Sequence, residues 1–162
     1  MKIETDKINY RRANIDDVEI LVDLRARFLN ELYDHPEDNE AEILRRSLRE
    51  YFSVAIPSND FVAWVAEHGG RIIGTGGMVV WRMPARYGGL ECGKLGYILN
   101  LYTRPEVRRR GIGTRLLNEL IKEDRSLGLK YLHLHSSEDG MNIHRKAGFA
   151  ELDQIELRLR LE

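Results

Sequence analysis

The sequence predicts an α/β (α+β) protein, and three observations carry that prediction. Amphipathic segments with apolar residues three and four positions apart alternate with short β-rich runs. One stretch, 99–120, reads LNLYTRPEVRRRGIGTRLLNEL and passes from an apolar run through a turn and a glycine-rich loop into an amphipathic helix. Near the carboxyl end, Ile155, Leu157, Leu159 and Leu161 alternate with charged or polar residues, which is typical of a half-buried strand.

Composition narrows the class of protein. The 162 residues are enough for one domain with a substantial core, and we expect a single domain over 1–162. The formal net charge of −1 argues against nucleic acid as a partner. Cys92 is the single cysteine, so no intrachain disulfide can form, and this fits a reducing compartment. With no secretory leader and no apolar run of about 18 residues, we expect a cytoplasmic protein without a membrane partner.

The first third of the chain predicts a strand and two helices. A strand over 8–12 leads to Asn14, which is placed to cap a helix that runs to about Tyr33. After an acidic connection, a capping-box pattern starts a second helix at Asn39, which ends near Val54.

The remaining elements follow from turn residues and alternation. The β-rich runs 61–67 and 71–82 flank His-Gly-Gly and predict a hairpin, with Gly74, Gly76 and Gly77 indicating a bulge or a close backbone approach. After the 99–120 stretch, we expect its helix to end near Gly128, and then a strand over 129–135, a short helix over 139–147 and the final alternating strand.

The glycine-rich loop is suited to bind phosphate. Gly111 and Gly113 let the backbone approach a ligand, and the first N–H groups of the next helix have no intrahelical partner. The positive end of the helix dipole and three arginines add to this. A P-loop is absent, and the dinucleotide fingerprint requires a small residue where this chain has Leu116, so neither nucleotide fold is supported.

Two motifs resemble one family. Residues 108–113, Arg-Arg-Arg-Gly-Ile-Gly, resemble the acetyl-CoA loop of the GNAT superfamily of N-acetyltransferases, Arg/Gln-x-x-Gly-x-Gly/Ala at a strand-to-helix junction. Residues 140–149 are similar to the family's short last helix, which closes on Gly-Phe. The resemblance implies a mixed, mostly antiparallel sheet of six to seven strands flanked by about four helices, splayed where the acetyl-CoA strand parts from the next one.

The resemblance also implies an activity. The chain would transfer an acetyl group from acetyl-CoA, without a metal, to a primary amine of a small molecule or peptide by direct attack in a ternary complex. The implied acetyl-CoA residues are Leu101, Tyr102, Thr103, Arg108, Arg109, Arg110, Gly111, Ile112, Gly113, Thr114 and Ser137. A backbone N–H of Leu101 or Tyr102 would stabilise the oxyanion.

The catalytic residues depart from the family pattern. His144 stands where members commonly carry a tyrosine acid, and an imidazole can donate a proton to a thiolate or accept one, or it can simply pack there. By strand register, Tyr97 falls where some members carry a glutamate, although tyrosine is a poor base at neutral pH. Asn100 could hold a water, Glu67 or Glu91 could reach the site, and a water relay is an equal alternative.

The sequence says less about the acceptor substrate and the oligomeric state. If the family layout holds, Tyr33 and Asp34 begin an acidic connection that suits a cationic amine, although ordinary solvated surface charge is the preferred explanation of these residues. The edge of the last strand would permit a homodimer. The alternative to an enzyme is an acyl-CoA-binding module with little or no turnover.

Overall fold

The β-rich runs and amphipathic segments form a sheet with helices on both faces. The computed structural model describes residues 3–34, 39–85, 87, 93–152, 157 and 159–161. The strands are β1 (Asn9–Arg12), β2 (Phe61–His68), β3 (Arg71–Arg82), β4 (Lys94–Thr103) and β5 (Leu132–Leu134). The α-helices are α1 (Val18–Tyr33), α2 (Asn39–Ala55), α3 (Ile112–Ser126) and α4 (Glu138–Lys146). Short 3₁₀ turns lie at Thr5–Lys7, Ile15–Asp17 and Pro105–Val107.

The sheet is mixed and mostly antiparallel, as the resemblance implied. Its strand order is β1-β2-β3-β4-β5, and each of the first three pairings is antiparallel. β4 and β5 are parallel and share three residue pairs, of which the last joins Ile98 to Leu134. We call the region beyond this last pair the strand divergence, because the two strands have no further pairing there.

The expectation of six to seven strands is not matched, since the described residues form five. The predicted strand over 155–161 falls largely outside the described residues. Leu157, Leu159 and Leu161 are described, and they are 88%, 81% and 82% exposed without strand structure. Alternating leucines indicate a strand face, but a strand also needs a hydrogen-bonding neighbour, which the alternation itself does not supply.

The predicted helices agree with the observed bounds to within a few residues, whereas two strands differ more. β4 begins at Lys94, ahead of the apolar run at 98–103. The strand expected over 129–135 shrinks to the three residues of β5. Its first residue, Leu129, instead donates its N–H to the Asp124 carbonyl oxygen, so it still belongs to the end of α3.

The cap predicted at Asn14 is confirmed. Its side-chain oxygen accepts the N–H of Asp16 at 2.8 Å, and the Asp17 carboxylate accepts the N–H of Asn14 at 2.9 Å. This reciprocal pair is a capping box, and it starts the turn that leads into α1.

The glycines of β3 mark a bulge, as predicted. Gly77 pairs with Leu99 and Thr75 pairs with Tyr102, so Gly76 alone faces the two residues between them on β4. One of these, Asn100, has a φ of 63°, in the left-handed region. At Gly77, an added Cβ would lie 2.3 Å from Cζ of Phe61, so only glycine fits there.

Alternate residues of β2 face two helical layers. Phe61, Ala63 and Val65 pack in one core cluster with residues of α1 and α2. Val62 packs with Leu117 and other α3 residues on the opposite face of the sheet. The sheet is therefore covered on both sides, which fixes β4 between α1 and α3. None of the helices in the described ranges is long and apolar enough to cross a membrane.

Asp124 on α3 makes the stability of the fold depend on pH. The residue is 6% exposed, and its Oδ1 has no hydrogen-bond partner among the described residues. Burial raises the pKa of Asp124 to about 6, against the opposing effect of the Arg125 charge. Since this pKa lies above the ordinary value near 3.9 of an unfolded chain, the folded state binds the proton more tightly. Stability therefore falls as pH rises between these two values.

We predict that Asp124→Asn raises the melting temperature at about pH 8, because it removes a buried charge, and changes it little at about pH 4, where the carboxyl is protonated. Thermal unfolding of both proteins across this range measures the effect. A variant less stable than the wild type at both ends of the range would contradict the assignment.

Candidate active site

The loop between β4 and α3 ends in an uncapped helix N-terminus. Gly111 is the N-cap residue, has a φ of 78° and provides no side-chain cap. Arg109 also lies in the left-handed region, with a φ of 61°. The first N–H groups of α3, at Ile112, Gly113 and Thr114, have no partner within the helix. The loop therefore presents backbone donors and the positive end of a helix dipole, which together favour an anion.

The three arginines of the loop differ in their contacts. The Nε of Arg108 donates to the Thr103 carbonyl oxygen at 3.0 Å, and its Nη2 donates to Glu31. Arg110 donates to the carbonyl oxygen of Ile3 at 3.3 Å, and Arg109 is exposed. Arg108 is thus held by the protein itself.

Glu31 joins α1 to β4 and to the loop. It accepts the Tyr102 hydroxyl at 2.6 Å as well as the Arg108 guanidinium, which lies 5.5 Å from the centre of the Tyr102 ring. Burial opposes ionisation of Glu31, but these two hydrogen bonds outweigh it and lower the pKa of the carboxyl. Burial and Glu31 raise the pKa of Tyr102 to about 12, so the tyrosine is a hydrogen-bond donor at neutral pH.

Asn100, in the bulge of β4, is a buried polar residue. It is 2% exposed, and neither its Oδ1 nor its Nδ2 has a hydrogen-bond partner among the described residues. Unpaired buried amide atoms are uncommon because they lose hydration without compensation. The left-handed backbone and the orphaned amide together set this position apart from the rest of the strand.

His144 lies on α4 and is 7% exposed. Its Nδ1 is 2.8 Å from the Ser136 hydroxyl oxygen, which itself donates to the Ser137 carbonyl oxygen at 2.9 Å. A hydroxyl has one proton, so in this arrangement Ser136 accepts from Nδ1–H. The Nε2 atom then carries the lone pair, and it is buried without a partner in the described part of the chain. Burial lowers the pKa of His144, which favours this neutral form.

Ser137, predicted to contact acetyl-CoA, has a structural role as well. Its hydroxyl oxygen accepts the N–H of Gly140 at 3.3 Å and so caps α4. α4 in turn holds His144, so the cap helps to place the imidazole.

Tyr97 is part of an aromatic cluster that includes two residues missed by the sequence analysis. Its ring stacks on Trp81 with centroids 4.7 Å apart and planes inclined by 20°. Its hydroxyl is hydrogen-bonded to Nδ1 of His135, the first residue after β5. The alternation of β3 and β4 could have placed Trp81 and Tyr97 on one face. The contact with His135 depends on the parallel register of β4 and β5, which leaves no local signal in the sequence.

The predicted acceptor residues and alternative bases are only partly described. Tyr33, which is 66% exposed, ends α1, and Asp34 follows it with a φ of 50°. Glu67 accepts a hydrogen bond from Arg11 at 3.0 Å. The candidate base Glu91, the acidic connection at 35–38 and Cys92 lie outside the described residues.

A cavity of about 320 Å³ lies away from these residues. It is lined by the end of β1 and the segments around the first turn of α1 and the end of α2, namely Arg12, Ala13, Asn14, Ile15, Ile56, Pro57, Asn59 and Phe61. Within the described ranges, no group of three or more His, Cys, Asp or Glu residues is arranged to hold a metal ion.

Comparison with known proteins places the chain beside acetyltransferases. The sequence model of the Acetyltransferase (GNAT) family matches residues 21–149. A predicted acetyltransferase from Clostridium acetobutylicum, crystallised with acetyl-CoA, is 32% identical, with 93% of this chain and 96% of that chain covered and a TM-score of 0.83. A GCN5-related N-acetyltransferase from Ralstonia eutropha is 25% identical, with 94% and 98% covered and a TM-score of 0.81.

More distant structures share the fold. The glucosamine-6-phosphate N-acetyltransferase of Arabidopsis thaliana is 22% identical, with 96% of this chain and 99% of that chain covered and a TM-score of 0.68. Comparison with curated protein sequences gave no match.

We predict that His144 titrates below the ordinary imidazole value near 6.5, because burial disfavours its charged form. NMR titration of the imidazole signals measures this, with His144→Gln identifying the resonance that belongs to His144. A midpoint at or above the ordinary value would contradict the neutral, lone-pair assignment of Nε2.

Proposed function

This chain belongs to the GNAT acetyltransferase family, and we propose that it transfers an acetyl group from acetyl-CoA to a primary amine of a small molecule or peptide. The amine attacks directly while both substrates are bound. One observation carries the proposal, the uncapped glycine-rich N-terminus of α3 following a bulged strand that has parted from its neighbour.

The phosphates of acetyl-CoA bind at the N-terminus of α3 in this proposal. The N–H groups of Ile112, Gly113 and Thr114 donate to them, and Arg109 and Arg110 add charge. Arg108 instead fixes the loop through Glu31 and Thr103. The Clostridium acetobutylicum relative with acetyl-CoA supports the choice of co-substrate.

The absence of packing around Gly113 supports a bound ligand there. Among the described residues, an added Cβ at this position would have one neighbour within 4 Å, Ile143 Cδ1 at 3.8 Å. Glycine in a helix costs about 1 kcal/mol relative to alanine, so the fold itself gains nothing from it. Close approach of a phosphate to the backbone would explain why this position is a glycine.

The thioester lies along β4 at the strand divergence. A backbone N–H of Leu101 or Tyr102 donates to the carbonyl oxygen as it gains negative charge, and Thr103 lies along the pantetheine. Beyond Ile98, the edge of β4 that faces away from β3 has no strand pairing with β5. The buried amide of Asn100 supplies further donor and acceptor atoms beside this edge, and we assign it to orienting the reacting groups or a water.

His144 moves the proton that links attack to thiol release. In the tetrahedral intermediate, its Nε2 lone pair takes one N–H proton and then returns it to the CoA sulfur as the C–S bond breaks. A lowered pKa suits both steps, because the imidazole is neutral at first and is a stronger acid once protonated. Ser136 holds the ring by accepting from Nδ1–H.

Tyr33 and Asp34 are proposed to border the acceptor. They end α1, whose residue Glu31 is hydrogen-bonded to Tyr102 on the acetyl-CoA strand, so the end of this helix is held close to β4. A carboxylate and an exposed aromatic ring suit an ammonium group.

Thiol release tests the proposed function. The protein is first heated with acetyl-CoA, with NAD as control, since a ligand at a hundredfold excess over its Kd stabilises the fold by about 2.7 kcal/mol. CoA release is then followed with spermidine, glucosamine 6-phosphate, an aminoglycoside and a lysine peptide. Amine-dependent release supports the enzyme. Stabilisation without release indicates an acyl-CoA-binding module. The hydrogen bond from Arg11 to Glu67 favours this alternative, because it engages one of the candidate bases. The absence of stabilisation would contradict acetyl-CoA binding.

We predict that Gly113→Ala raises the KM for acetyl-CoA about tenfold, equivalent to about 1.4 kcal/mol, while the unliganded protein melts at the same or a higher temperature. The methyl group would obstruct the phosphates but fits the fold and favours the helix.

Asn118→Ala, at an exposed position on the same helix, is the matched control for this substitution, because it raises helix propensity away from the proposed phosphates. A KM for acetyl-CoA that is unchanged in Gly113→Ala would contradict the placement of the phosphates.

A further inference from the structure

Tyr97 and His135 are hydrogen-bonded to each other at the start of the strand divergence. Ile98 and Leu134 form the last pair of β4 and β5, and His135 is the first residue after β5. Its Nδ1 is hydrogen-bonded to the hydroxyl of Tyr97. The pair therefore lies at the start of the strand divergence, where the proposed function places the thioester.

Trp81 restrains this pair. Its stacking on Tyr97 covers one face of the phenol ring and limits the directions in which the hydroxyl can point. Trp81 is 45% exposed, and His135 is exposed. A substrate can therefore reach the phenol that stacks on Trp81, and solvent can reach the imidazole.

We propose that Tyr97 and His135 form a proton relay that deprotonates the acceptor ammonium before it attacks. The inference rests on the proposed function. Tyr97 contacts the ammonium group, and His135 acts through Tyr97 as the group on which the proton arrives.

The relay removes the chemical objection to Tyr97. A phenol is a poor base at neutral pH, whereas an imidazole commonly acts as a base there. One N–H bond of the ammonium breaks as a new O–H bond forms on Tyr97, while the original tyrosine proton passes to Nδ1 of His135. The phenol stays neutral throughout, and His135 releases the proton to solvent.

The two protons that leave an ammonium substrate have different destinations. An ammonium substrate loses two protons on becoming an amide, of which one ends on the CoA sulfur and one in solvent. His144, buried, returns its proton to the sulfur in the proposed function. The exposed His135 suits the other, because its proton must leave the protein.

Other titratable or charged side chains stand on the neighbouring elements. Apart from Tyr97, they are Arg71 and Arg82 on β3, Lys94 and Tyr102 on β4, His133 on β5, and Glu138, Asp139, His144, Arg145 and Lys146 on α4. Tyr97 is the one for which a hydrogen bond to His135 is observed. We therefore route the proton through Tyr97.

The pH dependence of kcat/KM tests the relay with the fastest acceptor among spermidine, glucosamine 6-phosphate, an aminoglycoside and a lysine peptide. His135→Asn keeps an oxygen that can accept the Tyr97 hydroxyl but cannot take up its proton. We expect kcat/KM to fall about a hundredfold near neutral pH. The loss should shrink as pH approaches the pKa of the acceptor amine, which is near 10.4 for a lysine side chain, because free amine then binds already deprotonated.

Two further variants complete the test. Tyr97→Phe keeps the stack on Trp81 but breaks the relay, so its pH profile should match that of His135→Asn. His133→Asn makes the same change on β5, away from the observed hydrogen bond, and should keep the wild-type profile.

The possible failures are distinct. A loss in His135→Asn that is equal at every pH, or no loss, would overturn the relay, since a structural role would not follow the amine pKa. Absence of thiol release by the wild-type protein with every acceptor would overturn the proposed function, and the relay with it.

Discussion

The early end of the pairing between β4 and β5 is the constraint on which the site depends. After the pair of Ile98 and Leu134, the backbone of β4 has no partner strand on that side within the described part of the chain. The bulge at Asn100 turns the strand at the same level. Parallel strands hold their spacing only while ladder hydrogen bonds continue, so ending them creates room between two rigid elements. A substrate can then use main-chain groups that a longer ladder would have occupied.

Two sets of side-chain hydrogen bonds flank the strand divergence. On one side, Glu31 is hydrogen-bonded to Tyr102 and Arg108, so the carboxyl end of α1 and the glycine-rich loop before α3 are held in one network. On the other side, the segment after β5 contains the exposed His135, which is hydrogen-bonded to Tyr97, and Ser136, which is hydrogen-bonded to the buried His144. Neighbouring residues of one short segment are thus involved in both proposed proton transfers, because His135 is the proposed acceptor open to solvent and Ser136 holds the enclosed His144.

Local sequence patterns predicted most secondary-structure elements, but they did not predict contacts between residues that are distant in the sequence. The Asn14 cap, the helices and the bulge near Gly76 follow from capping, periodicity and glycine placement, which depend on neighbouring residues. The number of strands could not be predicted in this way, because a strand needs a hydrogen-bonding partner and an alternating sequence does not identify that partner. Arg108 was predicted to bind phosphate, and its contact with Glu31, 77 positions away, could not be read from the sequence. The link from Tyr97 to His135 likewise requires a register set by tertiary packing.

The central claim is that acetyl-CoA binds between the strand divergence and the N-terminus of α3. The most direct test is to follow the backbone amide NMR signals of the full chain as acetyl-CoA is added. We expect the largest shifts at residues 101–103 and 112–114, where main-chain donors would meet the thioester and the phosphates. Shifts concentrated instead around Arg12, Asn59 and Phe61, which line the separate cavity, with the loop signals unchanged, would contradict it.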